Sequence, residues 1–144
     1  MPTALTTLLF ILIGLLTWTV PPCLAAEVIL VVHPANSLPT ISRQDAEMIF
    51  LGKKTVWDSG EAIHVVVNEE RMVYDGFCRK ILKKTPLQYL LYRKKMLFNG
   101  SGIPPLTMPD DESVIVFISG SPSAVGFIDR SSLDDRVRAL VHLE

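Results

Sequence analysis

The sequence predicts an α/β domain of three layers, with helices on both faces of a mainly parallel sheet. Two apolar, β-branched runs, Glu27–His33 (EVILVVH) and Ile63–Val67 (IHVVV), lack the polar alternation of a half-exposed strand and read as strands buried on both faces. Segments with helical spacing and capping signals lie between and after them. The alternation of strand and helix continues to the end of the 144-residue chain, which is the pattern of a layered α/β domain.

The first strand is closed by Pro34. After a loop over Pro34–Thr40, Ser42 is an N-cap and Asp45 places charge in the first turn of a helix from Arg43 to about Leu51. That helix buries Ala46, Ile49 and Phe50 and stops at Gly52. Lys53–Trp57 reads as irregular or extended, and Asp58-Ser59-Gly60 as a turn before the second strand. From about Glu69 to Lys84, Val73, Phe77 and Ile81, flanked by Tyr74, Cys78 and Leu82, recur at helical spacing. Thr85-Pro86 opens a third helix, since proline fits the first turn, where its missing N–H has no partner. It runs to about Phe98, with Leu87, Leu90, Leu91 and Leu97 as its expected buried face, and ends at Asn99-Gly100-Ser101-Gly102. Pro104-Pro105 keeps the next loop extended. Asp110-Asp111-Glu112 opens a fourth helix, Ser113 to about Ser119. A turn over Gly120–Ser123, a strand Ala124–Ile128 and a last strand Val137–Leu143 complete the chain.

Charge is unevenly distributed. The total is −1, with 49% hydrophobic and 20% charged residues, which excludes a globally basic nucleic-acid binder and a disordered acidic chain. The first 26 residues carry no charged side chain: an apolar run from Leu8 to Leu16 leads to Pro21-Pro22 and Leu24-Ala25-Ala26. That pattern reads as a secretory signal over residues 1–26, cleaved near Ala25 or Ala26, followed by one domain over 27–144 in the periplasm or outside the cell. The other reading is an uncleaved membrane anchor over residues 4–20. Cleavage removes Cys23 and leaves Cys78 as a lone thiol, so no internal disulfide is expected. In the remainder, residues 27–70 have net charge −4, residues 71–95 net +7 and residues 110–144 net −4.

No catalytic constellation is present. His33, His64 and His142 fall on or beside strands without metal-ligand spacing, and Cys78 lies on the apolar side of its helix. There is no nucleophile elbow, dinucleotide turn or P-loop. The paired carboxylates Glu69-Glu70, Asp110-Asp111 and Asp134-Asp135 read as caps and solvated faces. No enzyme activity, cofactor or metal is expected. Lys83, Lys84, Arg93, Lys94 and Lys95 form a basic helical face, a candidate surface for docking an envelope protein; nucleic acid is not an expected partner of an exported chain. In open α/β sheets, ligands bind beyond the carboxyl ends of strands, here at Asn68-Glu69-Glu70-Arg71-Met72. Asn68 and Arg71 are the candidate anion-binding residues there, with Asn36 and Ser37 of the Pro34–Ser37 loop expected alongside.

Several motifs resemble the substrate-binding proteins of phosphate ABC transporters. They are a strand followed by Pro34-Ala35-Asn36, then Ile49-Phe50-Leu51-Gly52-Lys53 with Trp57, then Tyr92 and Phe98-Asn99-Gly100 with Pro104-Pro105, and Ser121–Ile128 (SPSAVGFI). The resemblance runs from about Val28 to Arg130, and Ile49–Lys53 with Trp57 is its most specific part. It implies a type 2 periplasmic-binding fold, export, and binding of a small anion such as phosphate without catalysis. The chain holds material for about one of that family's two lobes, as in a short single-domain branch, and the missing wall could be supplied by a second copy. The family's phosphate loop carries a Ser-Gly-Thr turn; here Asn68-Glu69-Glu70-Arg71-Met72 stands in its place, with Phe77 retained downstream. Two negative charges and no hydroxyl imply weak phosphate binding or none.

Overall fold

The structure is a computed structural model that describes residues 25–143. Apart from Ala25 and Ala26, the expected signal segment, with Cys23, lies outside the described residues. Six strands form one sheet in the order β2-β6-β1-β5-β3-β4: β1 (Val28–Val32), β2 (Thr40–Ser42), β3 (His64–Asn68), β4 (Leu106–Met108), β5 (Ala124–Asp129) and β6 (Arg138–Leu143). The sheet is mainly parallel, as expected. β2 pairs parallel with β6, and β3 parallel with both β4 and β5, while β1 runs antiparallel to β5 and β6. Five strands therefore point one way and β1 alone is reversed. The short edge strands β2 and β4 lay in segments expected to be loops; three residues are too few to show a period.

Both faces are covered. Along β1, Val28, Leu30 and Val32 enter one core, while Ile29 and Val31 enter the other. β5 divides likewise, with Val125 and Phe127 on the first face and Ala124 and Ile128 on the second. This is the two-residue period of a strand with two buried faces. The first core lies under helices α1 (Arg43–Phe50), α2 (Arg71–Phe77) and α3 (Pro86–Asn99); the second lies under α4 (Asp111–Ser119). Gly126 permits the close approach of α4, since a Cβ there would stand 3.0 Å from both Val114 and Ile118.

Caps fix the helix boundaries. The Ser42 hydroxyl accepts from Asp45 N at 3.0 Å, and Gly52, at φ +71°, turns the chain out of α1. Thr85 and Gln88 form a reciprocal capping box at the start of α3, with Pro86 in its first turn, and Gly100, at φ +59°, ends it. The long helix expected over Glu69–Lys84 is divided: α2 gives way to one π-helical turn, Cys78–Leu82, which closes with Lys83 in the left-handed region at φ +53°. Val73, Phe77, Cys78, Ile81 and Leu82 are buried as the spacing required.

The expected buried face of α3 is corrected. Leu87, Leu90, Leu91 and Leu97 are exposed, and Tyr89, Arg93 and Met96 are buried in their place. The reason is a pair of tyrosines on the opposite side. Tyr89 Oη donates to Phe50 O at 2.9 Å and Tyr92 Oη to Leu51 O at 2.7 Å. These bonds satisfy carbonyls that the end of α1 leaves without a helical partner, so the aromatic side of α3 faces inward. Phe77 stacks on Phe127 with ring centroids 3.8 Å apart and meets Phe50 edge-on at 4.6 Å, completing the aromatic centre.

Candidate functional site

With β1 reversed, the carboxyl ends of the other five strands share one edge of the sheet, and the loop after β1 leaves from the opposite edge. In register, Val32 and Val65 both lie beside Val125, at the start of β3 and β5. Asn36 and Ser37 are therefore not alongside Asn68, and the expected joint site does not form. They line a cleft of about 210 Å³ with Trp57, Asp58, Glu61 and Pro122. Asn36 is engaged locally: its Oδ1 accepts from Leu38 N at 2.9 Å, and the carbonyls of Asn36 and Leu38 both accept from Arg138 at 2.8 and 2.7 Å. At the same edge, exposed His64 Nδ1 lies 3.3 and 3.2 Å from the Ser121 and Ser123 hydroxyls.

The carboxyl edge is assembled from the end of β3, the start of α2 and α4, and the end of β5. Asn68 is fully buried and fully used. Its Nδ2 donates to Asp111 Oδ1 at 2.6 Å and to Phe127 O at 3.3 Å, and its Oδ1 accepts from Glu70 N at 2.9 Å. Asn68 thus ties three elements together and has no donor free for a ligand. Asp111 is the hub that sequence reading missed. Besides Asn68, its carboxylate accepts from Asp129 N at 3.3 Å and from the Ser132 hydroxyl at 2.5 Å. Neighbouring Asp110 is the expected cap, accepting from Ser113 N at 2.8 Å.

Glu70 folds back over the first turn of α2 and accepts from Val73 N at 2.9 Å, the role an N-cap oxygen plays. Glu69 lies 3.7 Å from the Arg93 guanidinium. Arg93 is itself buried, 5.7 and 5.3 Å from the ring centres of Tyr74 and Tyr89, and it donates to Tyr74 Oη at 3.4 Å while its Nε has no partner among the described residues. Arg93 therefore does not belong to the exposed basic face expected from its neighbours; of that group, Lys83, Lys94 and Lys95 are exposed and Lys84 half-buried. Arg71 is exposed, with no ion pair among the described residues. Beyond β5, the Asp129 carboxyl is held below the usual carboxylate range, first by the Ser131 hydroxyl and then by backbone N–H donors.

Chemically, the donors of Asn68, Val73 N, Asp129 N and Ser132 at the carboxyl edge are already supplied with acceptors, while Arg93 Nε and the exposed Arg71 have no partner among the described residues. Each carboxylate sits where an anion's oxygens would be received: on a helix-start N–H, beside a buried guanidinium, or among an amide, a backbone N–H and a hydroxyl. Among the described residues, no group of three His, Cys, Asp or Glu side chains is arranged to hold a metal ion. Buried Cys78 has its thiol pushed up to about 11 by desolvation.

An open, mainly parallel sheet covered on both faces, with its candidate site beyond the strand ends, is the architecture of a periplasmic binding-protein lobe. Solved structures of that class superpose on it. An ABC-type phosphate transport receptor from Vibrio cholerae gives a TM-score of 0.56 at 20% identity, covering 80% of this chain and 45% of that one. A putative phosphate ABC transporter substrate-binding protein from Clostridium perfringens, solved with bound phosphate, gives 0.63 at 19% identity over 80% and 44%. A possible phosphate-binding protein from Planctomyces limnophilus gives 0.62 at 14% over 83% and 43%. This chain thus spans less than half the length of these proteins. No protein-family model matches the sequence, and no curated protein does. The resemblance read from the sequence is met at the level of fold.

The most specific motif of that resemblance has a structural explanation. Phe50 and Leu51 present the carbonyls that receive Tyr89 and Tyr92, Gly52 passes so close to Met96 that a Cβ would stand 2.7 Å from its methyl, and Trp57 Nε1 donates to Ser123 O at 3.0 Å. These residues join α1, α3 and the turn before β5; none of them lies at the carboxyl edge.

Proposed function

We infer that the chain is an exported, non-enzymatic binding-type lobe whose own carboxylates occupy the anion positions at its carboxyl edge, so that phosphate binds weakly or not at all. The observation that carries this reading is the set formed by Glu69, Glu70 and Asp111 on Arg93, Val73 N, Asn68, Asp129 N and Ser132. An incoming phosphate has to displace bonds already made within the chain and approach several negative charges. A single lobe also leaves any bound ion open to water on one side, and water competes for each hydrogen bond. The uncharged N-terminal 26 residues support export to the periplasm, and a purified protein that begins near Glu27 is the expected product. Isothermal titration with inorganic phosphate tests the binding reading. The expected result is no saturable heat below the millimolar range; micromolar affinity in a monomer contradicts it.

A further inference from the structure

Helix α3 has apolar side chains on two sides, and the core uses only one. Leu87, Leu91, Leu97 and Phe98 are 62, 56, 64 and 88% exposed. Positions 87, 91, 94 and 98 follow the i, i+4, i+7, i+11 spacing of one strip, so Lys94 stands within the strip and Lys95 beside it. Beyond the turn at Gly100, Ile103 is 91% exposed. Phe98 and Ile103 are the most exposed large apolar side chains among the described residues, and both lie at the same end of α3.

The charge around this strip has one sign. α3 contains no acidic residue, Lys83 and Lys84 stand just before its first turn, and among the described residues none of Lys83, Lys84, Lys94 and Lys95 pairs with a carboxylate. The strip is the convex outer side of a helix, and no α3 residue lines either the cleft between Asn36 and Trp57 or the one between Ala26 and Ser131.

We propose that this face of α3 docks on an anionic phospholipid surface, with Phe98 and Ile103 entering the headgroup region and the lysines meeting lipid phosphates. A convex apolar strip parallel to the helix axis, flanked by lysines, suits a planar interface. Each lysine close to an anionic leaflet adds attraction, and the stem of Lys94 can lie along its apolar neighbours while its ammonium reaches a phosphate. Symmetric pairing with a second copy would instead bury the Lys94 ammonium in an apolar seam to which α3 brings no carboxylate, an uncompensated cost. No helix among the described residues is long and apolar enough to cross a membrane, so the contact stays superficial. This inference is independent of whether the carboxyl edge binds phosphate.

The test is sedimentation of the purified protein with phosphatidylcholine vesicles, with and without about 30 mol% phosphatidylglycerol. An apolar N-terminal segment binds both vesicle types alike, so the difference between them is the readout. The expected result is at least about tenfold stronger partitioning onto the anionic vesicles, lost progressively with salt. Lys94→Glu with Lys95→Glu lowers that partitioning by more than about tenfold. Leu91→Ser with Phe98→Ser also lowers it while leaving the thermal midpoint in place, and Phe98→Trp emission shifts to the blue on anionic vesicles only. Three results overturn the proposal: equal partitioning onto both vesicle types, anionic binding that survives Leu91→Ser with Phe98→Ser, or a dimer in solution that those substitutions dissociate, which would give the face to a second copy.

Discussion

The carboxyl edge of the sheet and the outer face of α3 treat their functional groups in opposite ways. At the edge, Asn68, Glu70 and Asp111 meet partners within the chain, at distances from 2.5 to 3.3 Å. On α3, four leucines and a phenylalanine face outward beside lysines that have no carboxylate partner among the described residues. A region that satisfies its own polar groups gains stability and has little left to offer a ligand. One that leaves both apolar surface and charge unpartnered gains nothing from them in the isolated fold. Position at a strand end is therefore a weak guide to a site unless its donors are free.

The largest expected effect is at the hub of the edge. Asp111→Ala leaves Asn68 Nδ2, Asp129 N and the Ser132 hydroxyl short of an acceptor, and loss of this half-buried, charged acceptor beside the fully buried Asn68 costs about 1–3 kcal/mol in urea unfolding. A cost under about 0.5 kcal/mol shows that the edge is not self-satisfied. Glu70→Ala removes the cap of α2 and lowers stability by about 1 kcal/mol, whereas Glu70→Ser retains most of it.

Acid should weaken the start of α4 next. Arg136 holds Glu112 at 2.7 Å and Asp134 at 2.7 Å, and it lowers the pKa of both carboxyls. With native values below unfolded ones, their contribution is complete above about pH 5 and fades as pH falls through the depressed native values. Chemical unfolding of Arg136→Ala between about pH 6 and pH 3 should therefore show a shallower loss of stability than the parent, the two converging in acid. At the other end of the scale, Cys78 keeps its neutral thiol in the fold to about 11, so the associated stability is present below the unfolded value and lost as pH rises towards 11. A thiol reagent near pH 8.5 should label urea-unfolded protein rapidly and native protein slowly; equal rates would place the thiol outside the core.

The smallest effect belongs to α3. Leu91→Ser should change unfolding free energy by no more than about 0.5 kcal/mol, because the side chain is already in water. A loss of about 2 kcal/mol or more marks the leucine as packed and removes the contrast with the edge.

Much of this molecule was legible in its sequence. Ser42, Gly52, Thr85-Pro86, Gly100 and Asp110 mark helix ends through local chemistry, and the two apolar runs mark strands: Val28–Val32 is buried throughout as expected, whereas His64–Asn68 is buried only from Val66 onward, with His64 exposed. Strand direction was not legible. A run such as VILVV reads the same in either orientation, so the reversal of β1, which moves Asn36 and Ser37 to the far edge, leaves no local trace. α3 carries two apolar stripes, and spacing alone cannot choose between Leu87-Leu90-Leu91-Leu97 and Tyr89-Tyr92-Met96; hydroxyls within reach of the α1 carbonyls decide it. Arg93 looked like one member of a basic run because burial is a tertiary property. Asp111 was legible only as an acid at a helix start; its role as a hub left no local trace, since its partners lie 18 to 43 residues away.

The central claim is that the chain's own carboxylates fill the anion positions of the edge. Backbone amide NMR during titration with inorganic phosphate reads those positions directly. The resonances of Val73 and Asp129 should stay fixed through millimolar phosphate while surface lysine neighbours drift without saturating. A saturable shift of Val73 and Asp129 together, with a midpoint in the micromolar range, would show phosphate replacing Glu70 and Asp111 and would contradict the account.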